Sequence, residues 1–164
     1  MSFISTIHSY ISSACTDLVL PINLPTIFSF SSVSKSFSMK RVIVIPAYNE
    51  AGTIGPVLER LIAHLATMGQ NYEILVICDG ATDATAQEVR EVRRAEGLVR
   101  LIEHPYNMGN GAAVKTGIRN AHGAVVVFMD ADGQHAPEDM EQLLDQCDRY
   151  DMVVGARGKG SQAG

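Results

Sequence analysis

Residues 124–132 read Ala-Val-Val-Val-Phe-Met-Asp-Ala-Asp, an apolar run of strand-forming residues that ends directly in two carboxylates. The run predicts a buried strand, so Asp130 and Asp132 follow at its carboxyl end. Two carboxylates one residue apart repel each other unless a divalent cation lies between them and a phosphate group. We therefore expect this loop to handle a metal-bound phosphate ester. The alternative, in which the pair only terminates the strand, stays open at this point.

On the amino-terminal side of this run, short β-branched segments alternate with amphipathic ones from Arg41 onward. Apolar residues between Ile54 and Leu65 recur at the spacing of one helix face, and Pro137 is placed to open a helix whose buried stripe includes Met140. The predicted strands are residues 41–45, 72–78, 98–103, 124–129 and 152–155. The predicted helices are residues 53–68, 83–96, 112–121 and a last one that begins at 137.

This alternation predicts an α/β fold, a Rossmann-like doubly wound and mostly parallel sheet covered by helices on both faces. In the commonest winding, with strand order 3-2-1-4, the first and fourth strands are neighbours, and a crevice opens beyond their carboxyl ends. We therefore expect residues 46–50 and 130–134 to meet there. Asp79, which follows the second strand, should lie along the same rim.

Composition limits the classes of protein to consider. The chain has 164 residues, 46% hydrophobic and 19% charged, which is enough for one globular domain with one core. Its net charge of -5 argues against a dedicated nucleic-acid binder, so we expect no nucleic-acid partner. Cys15, Cys78 and Cys147 are far apart, and we expect reduced thiols. We expect a cytoplasmic protein, which could act at the cytosolic face of a membrane.

Residues 1–38 differ in composition from the rest of the chain. They carry only Asp17 and Lys35 as charges, are interrupted by Pro21 and Pro25, and have no period that predicts an element. We expect residues 39–164 to form the domain. Residues 1–38 are then an irregular leader, a targeting segment of unusual composition, or an over-extended start with Met39 as the true first residue; we favour the last.

Four motifs occur in order, each at a predicted strand end or helix start: Pro46-Ala47-Tyr48-Asn49-Glu50, Asp79-Gly80-Ala81-Thr82-Asp83, Asn107-x-Gly109-x-Gly111-Ala112-Ala113 and Asp130-Ala131-Asp132-Gly133-Gln134-His135. Together they resemble the motifs of family 2 glycosyltransferases with a GT-A fold. The similarity extends over about residues 39–157. With Gln134 two residues after Asp132, it is greatest to the polyprenyl-phosphate hexosyltransferases, a group that includes dolichol-phosphate mannose synthases.

The resemblance implies a set of site residues. A metal, Mg2+ or Mn2+, would be bound by Asp130, Asp132 and Gln134, whose oxygen atoms suit such a cation. The catalytic residues would be Asp130, Asp132 and Arg157. Arg157 and, from its helix, Lys115 could each pair with a phosphate group. The nucleotide sugar would be bound by Pro46, Tyr48, Glu50, Ile77, Asp79, Lys115, Asp130, Ala131 and Asp132.

The reaction implied is an inverting transfer of a hexose from GDP-mannose or UDP-glucose to an acceptor. The partners would be this donor and a lipid phosphate, polyprenyl or dolichyl phosphate, or a glycan. A cation at the leaving diphosphate acts as a Lewis acid. The anionic oxygen of a lipid phosphate is already nucleophilic near neutral pH, so the reaction needs no strong general base.

Several of these residues also have simpler interpretations. Asp79 and Asp83 could form a turn and a helix N-cap, with Thr82 or Asp83 as the cap. Glu50 could be an acid favoured by the helix dipole in a first turn. Cys78 stands where many relatives have the first Asp of a pair, so any role of that acid is absent here.

The sequence ends at Gly164, just after the fifth predicted strand. The resemblance implies further strands and helices that build the acceptor side and a membrane contact, so we expect the donor-binding part of a glycosyltransferase 2-like domain. A truncated, non-catalytic nucleotide-binding module is the main alternative. A sugar nucleotidyltransferase is less favoured, because residues 46–50 contain no glycine for a phosphate loop.

Overall fold

The computed structural model describes residues 5–8, 40–69 and 71–155, and a six-stranded sheet lies at its centre. Every element predicted from residue 41 onward is present, with its ends within two residues of the predicted ones. The strands are β1 (Ser5–His8), β2 (Arg41–Ala47), β3 (Tyr72–Cys78), β4 (Val99–Glu103), β5 (Val125–Phe128) and β6 (Met152–Val154). The helices are α1 (Ile54–Met68), α2 (Thr85–Ala95), α3 (Asn110–Asn120) and α4 (Pro137–Leu144).

The strands lie side by side in the order β4-β3-β2-β5-β1-β6. The four strands β4, β3, β2 and β5 are parallel, and their order is the predicted 3-2-1-4. The predicted α/β fold is therefore confirmed. From β2 the chain adds β3 and β4 on one side and then crosses back to place β5 on the other side of β2. A crevice opens beyond the carboxyl ends of β2 and β5, where the strand order reverses.

Helices cover both faces of the sheet and bury two apolar clusters. One cluster packs α1, α2 and α4 against the sheet through residues such as Leu58, Val89 and Met140. The other packs α3 against β2 and β3, where a Cβ added at Gly117 would lie only 2.3 Å from Cγ1 of Val44. The absence of a side chain at Gly117 therefore lets α3 lie close to the sheet. Among the described residues, no helix is long and apolar enough to cross a lipid bilayer.

Strand β1 corrects one expectation for residues 1–38. The sequence predicted no regular element there, but Ser5–His8 pairs antiparallel with β5 on one side and with β6 on the other. Its residues, Ser-Thr-Ile-His, do not alternate between apolar and polar, and its partners lie more than a hundred residues away, so local sequence could not reveal it. The division of the chain at Met39 stays a prediction, because Met39 lies outside the described residues.

Candidate functional site

The candidate site is a cleft of about 360 Å³ beyond the carboxyl ends of the parallel strands. It brings together the loops after β2, β3 and β5, as the strand order predicted, together with the loop between β4 and α3. The aspartate pair after β5 faces the same cleft as the Tyr48 loop. The cleft is lined by Pro46, Ala47, Tyr48, Glu50, Asp79, Asn107, Gly109, Asn110, Ala113, Asp130, Ala131 and Asp132.

The loop between β2 and α1 forms one wall of this cleft, and side chains near the start of α2 hold its backbone. The Glu50 N–H donates to Oγ1 of Thr85 at 2.7 Å, and the Ala51 N–H donates to Oδ2 of Asp83 at 3.0 Å. From the other direction, Oδ1 of Asn49 accepts the Thr82 N–H at 2.8 Å. These tethers fix the backbone around Glu50. Tyr48, with 43% of its surface exposed, is free to offer its ring to a planar ligand.

Asp83 stabilises the start of α2, although it is not the N-cap residue that the sequence suggested. Ala84 occupies the N-cap position and makes no side-chain cap. Oδ1 of Asp83 instead accepts the Thr85 N–H at 2.9 Å and the Thr85 hydroxyl at 2.5 Å. These hydrogen bonds from Thr85 lower the pKa of Asp83 and keep its carboxylate ionised. Asp83 thus couples α2 to the loop that carries Glu50.

Four carboxyl groups line the cleft, and Glu50 is close enough to Asp130 and Asp132 to be affected by their charges. Burial raises the pKa of Glu50, and the negative charges of Asp132, Asp83 and Asp130 raise it further. The turn after β5 holds Asp132 in place, because its Oδ1 accepts the Gln134 N–H at 2.9 Å. Oδ2 of Asp130 lies 3.5 Å from Nε2 of His135. The cleft therefore contains concentrated negative charge that a bound cation would neutralise.

The predicted metal ligands lie near this charge, but the ligand set itself stays a prediction. Among the described residues, no group of three or more His, Cys, Asp and Glu side chains is arranged to hold a metal ion. Asp130 and Asp132 line the cleft, whereas Gln134 is exposed and lies outside its lining. Two carboxylates that also repel Glu50 nevertheless fit an oxygen-preferring cation such as Mg2+ or Mn2+.

Asp79 lines the cleft, but its carboxylate is already engaged within the protein. Oδ1 accepts the Met108 N–H at 3.0 Å and lies 2.6 Å from Nδ1 of His104, while Oδ2 accepts the Gly109 N–H at 2.8 Å. Burial favours the neutral acid, but these hydrogen bonds outweigh it and lower the pKa of Asp79. A carboxylate with three such donors has little capacity left for a nucleoside.

Three other predicted site residues lie elsewhere. Ile77 is fully buried in the cluster beneath α3, and Lys115 is exposed on α3; neither lines the cleft. Arg157 lies outside the described residues. The predicted roles of these residues in binding or catalysis stay predictions.

Sequence reasoning missed residues that contribute to the cleft. Asn110 lines it, and His104 contacts Asp79 from the end of β4. Asn107 and Gly109 belong to the third motif but were assigned no binding role, and both line the cleft. The available signal was topological, because β4 ends at the same edge of the sheet as β2, β3 and β5.

Comparison with known proteins gives a consistent result. The sequence model described as glycosyl transferase family 2 matches residues 42–164. A dodecaprenyl-phosphate galacturonate synthase of Rhizobium johnstonii is 34% identical over 123 residues, which are 73% of this chain and 36% of that protein. A dolichyl-phosphate beta-glucosyltransferase of Trichomonas vaginalis is 35% identical over 147 residues, 83% of this chain and 42% of that one. The chain thus spans less than half the length of either relative.

A solved structure is also similar. Glucosyl-3-phosphoglycerate synthase from Mycobacterium tuberculosis, in complex with Mn2+, uridine diphosphate and phosphoglyceric acid, superposes with a TM-score of 0.54. It is 26% identical, and the match covers 66% of this chain and 39% of that one. The similar part of that protein is thus confined to less than half of its length.

Proposed function

The chain belongs to glycosyl transferase family 2, and from this premise we propose that its cleft binds the nucleoside diphosphate part of a sugar nucleotide together with Mg2+ or Mn2+. The whole protein then transfers a hexose from GDP-mannose or UDP-glucose to polyprenyl or dolichyl phosphate. Two relatives support this choice of acceptor, because one is named a dodecaprenyl-phosphate galacturonate synthase and the other a dolichyl-phosphate beta-glucosyltransferase. Because the chain spans less than half of each relative, the activity and the acceptor belong to the proposal.

One observation carries the proposal: Glu50, Asp130 and Asp132 face one another in a cleft that Tyr48 also lines. Asp132 and Asp130, whose charges help to raise the pKa of Glu50, would repel a diphosphate unless a cation joined them to it. The structurally similar glucosyl-3-phosphoglycerate synthase holds Mn2+ together with uridine diphosphate. In this chain Asp130, Asp132 and Gln134 would hold the metal, which would supply Lewis-acid stabilisation of the leaving diphosphate.

The residues of the chain itself bind and orient the donor. Tyr48 offers a flat apolar surface to the base or ribose, and Glu50 can accept hydrogen bonds from their donor groups. The tether from Glu50 N–H to Thr85 holds this wall in place before the ligand arrives. Asp79 acts through the backbone of Met108 and Gly109 that it holds, since its own oxygen atoms are engaged.

The acceptor step needs little from the protein beyond positioning. An anionic phosphate oxygen of the lipid attacks the anomeric carbon on the face opposite the leaving group, so the configuration inverts. No general base is required, because the nucleophile carries no proton near neutral pH. Arg157 and Lys115 remain proposed partners for a phosphate group of the donor or the acceptor. A lipid-linked acceptor would put the reaction at the cytosolic face of a membrane.

A second candidate is a nucleotide-binding module that does not transfer sugar. It is favoured by the position of the cleft, whose lining residues all lie within the matched residues 42–164. Such a module would bind nucleotide and metal in the same cleft. It would lack an acceptor site of its own.

A transfer assay separates the two candidates. The chain is incubated with labelled GDP-mannose or UDP-glucose, polyprenyl phosphate and Mn2+, and label is measured in the lipid extract. Nucleotide binding is measured on the same sample. A transferase gives labelled lipid, and a binding module binds nucleotide without transferring label. A folded sample that neither binds nor transfers contradicts both.

A further inference from the structure

Within the proposed function, on which this inference rests, we propose that His104 is a positioning residue for the donor cleft. It acts through Asp79, which in turn holds residues 107–110 at the edge of the cleft. No contact of His104 with a ligand is required. In this proposal Asp79 holds the backbone at the edge of the cleft instead of binding the nucleotide directly.

The first step is the contact between Asp79 and the loop before α3. Asp79 is 3% exposed, and its two oxygen atoms accept the backbone N–H groups of Met108 and Gly109 at 3.0 and 2.8 Å. Asn107 and Gly109, in the same loop, line the cleft. The position of that edge of the cleft therefore depends on where the Asp79 carboxylate is held.

The second step is the contact between His104 and Asp79. The side chain of His104 is 8% exposed, and its Nδ1 lies 2.6 Å from Oδ1 of Asp79. The lowered pKa of Asp79 keeps it ionised, so Nδ1 carries the hydrogen in this contact. Oδ1 thus accepts from both His104 and Met108, and His104 fixes the direction in which this oxygen points.

The third step is the anchoring of His104 itself. Its Nε2 lies 2.9 Å from Oγ1 of Thr116 on α3, and its backbone N–H donates to the Cys78 carbonyl at 2.9 Å. The ring is thereby held at both nitrogen atoms, between the end of β3 and α3. Such double contact fixes the orientation of an imidazole and passes that orientation to its carboxylate partner.

The close approach of Gly80 shows how little room the loop has. A Cβ at Gly80 would lie 2.1 Å from the carbonyl carbon of Tyr106 and 2.4 Å from the nitrogen of Asn107. The loop therefore rests on the backbone after β3 on one side and on Asp79 on the other. A shift of the Asp79 carboxylate is transmitted to residues 107–110 because they cannot move toward Gly80.

Two variants separate the contacts of the ring. In His104→Asn the side-chain amide nitrogen takes the place of Nδ1 and retains the hydrogen bond to Asp79. In His104→Gln the amide nitrogen takes the place of Nε2 and retains the contact with Thr116 instead. Both variants remove the imidazole, so a difference between them reports on the link to Asp79. His122→Gln, at an exposed histidine, is the control for loss of a histidine.

The test measures amide hydrogen exchange at Met108 and Gly109 in the free protein, and then the affinity for GDP and UDP with Mn2+. For H104Q we expect exchange about tenfold faster at both amides and affinity about tenfold weaker, because a hydrogen bond to a charged group is lost. H122Q should match the unmodified chain in both measurements. H104N retains the hydrogen bond to Asp79 but loses the contact with Thr116, so it should change exchange and affinity by no more than about threefold. Thr116→Val removes the contact at Nε2 of His104. It should make exchange at the two amides about threefold faster and nucleotide affinity about threefold weaker.

Equal behaviour of H104N and H104Q would overturn the proposal, as would unchanged affinity in an H104Q protein whose two amides exchange faster. If H104Q does not fold, unchanged exchange and affinity in T116V overturn it. Failure of the unmodified chain to bind either nucleotide would refute the proposed function and, with it, the proposed effect of His104 on nucleotide affinity. The exchange data would still decide whether His104 holds the loop.

Discussion

Glu50 and Asp132 line the same cleft, and the charge of Asp132 adds to burial in raising the pKa of Glu50. They belong to loops that follow β2 and β5, which the fold makes neighbours. Like charges are thus held close together by the sheet, at a cost to stability. Such repulsion between neighbouring carboxylates is expected of a cation-binding site before the cation binds.

Glu50→Gln should stabilise the chain in the absence of metal. The pKa of Glu50 is raised in the folded protein, so the folded state binds more protons and stability falls as pH rises from 4.5 through the folded pKa. At pH 7.5 we expect the Tm of E50Q to exceed that of the unmodified chain by about 1–4 °C. The difference should vanish well below pH 4.5.

Thermal unfolding across this pH range, with Glu59→Gln on the exposed face of α1 as control, checks the prediction. Mn2+ should reduce the difference in Tm between E50Q and the unmodified chain at pH 7.5, because it neutralises the negative charge in the cleft. An E50Q protein less stable than the unmodified chain at pH 7.5 would show that the charges in the cleft are already compensated.

Asp83→Asn should have the opposite effect. Hydrogen bonds from Thr85 lower the pKa of Asp83, so its contribution to stability is fully present above pH 3.8 and is lost as pH falls through the folded pKa. At pH 7 D83N should therefore have a lower Tm than the unmodified chain. This difference in Tm should decrease in acid. Asp148→Asn, at an exposed position, should behave like the unmodified chain throughout. Unfolding scans that give D83N and D148N the same Tm at pH 7 would refute the role of Asp83 as a tether.

Gly80→Ala tests the packing of the loops that border the cleft. Gly80 has φ +64° and no room for a Cβ, whereas Gly52 has φ +81° and nothing within 4 Å of its Cβ position. G52A should cost about 1–2 kcal/mol for the left-handed conformation alone. G80A should cost at least about 2 kcal/mol more, because backbone must move. Denaturant unfolding of both measures the difference, and equal losses would contradict the close approach of Gly80 to Tyr106.

The convergence of the cleft was predictable because it depends on strand order. Hydrophobic periodicity predicted the elements, and the carboxyl ends of neighbouring parallel strands must share an edge, so Tyr48, Glu50 and Asp130 were expected to meet. Exact strand and helix ends mattered little for this. The topology alone places residues far apart in sequence at one site.

Side-chain contacts between the loops could not be predicted in the same way. Whether Asp79 faces a ligand or the N–H groups of Met108 and Gly109 depends on displacements of about an ångström, which no pattern of residue types encodes. Ile77 illustrates a second limit. All of β3 is buried, so alternation along this strand does not tell which side chains face α3 and which could reach the site.

The most direct test of the central claim is calorimetric titration of the folded chain with GDP and with UDP, with and without Mn2+, for the unmodified protein, Asp132→Asn and Asp148→Asn. We predict that one nucleotide binds with Mn2+ and much more weakly without it. D132N should lose at least about tenfold in the metal-dependent affinity, and D148N should lose none. Absence of nucleotide binding by the folded unmodified chain with Mn2+, or undiminished binding by D132N, would contradict the proposed metal-linked nucleotide site.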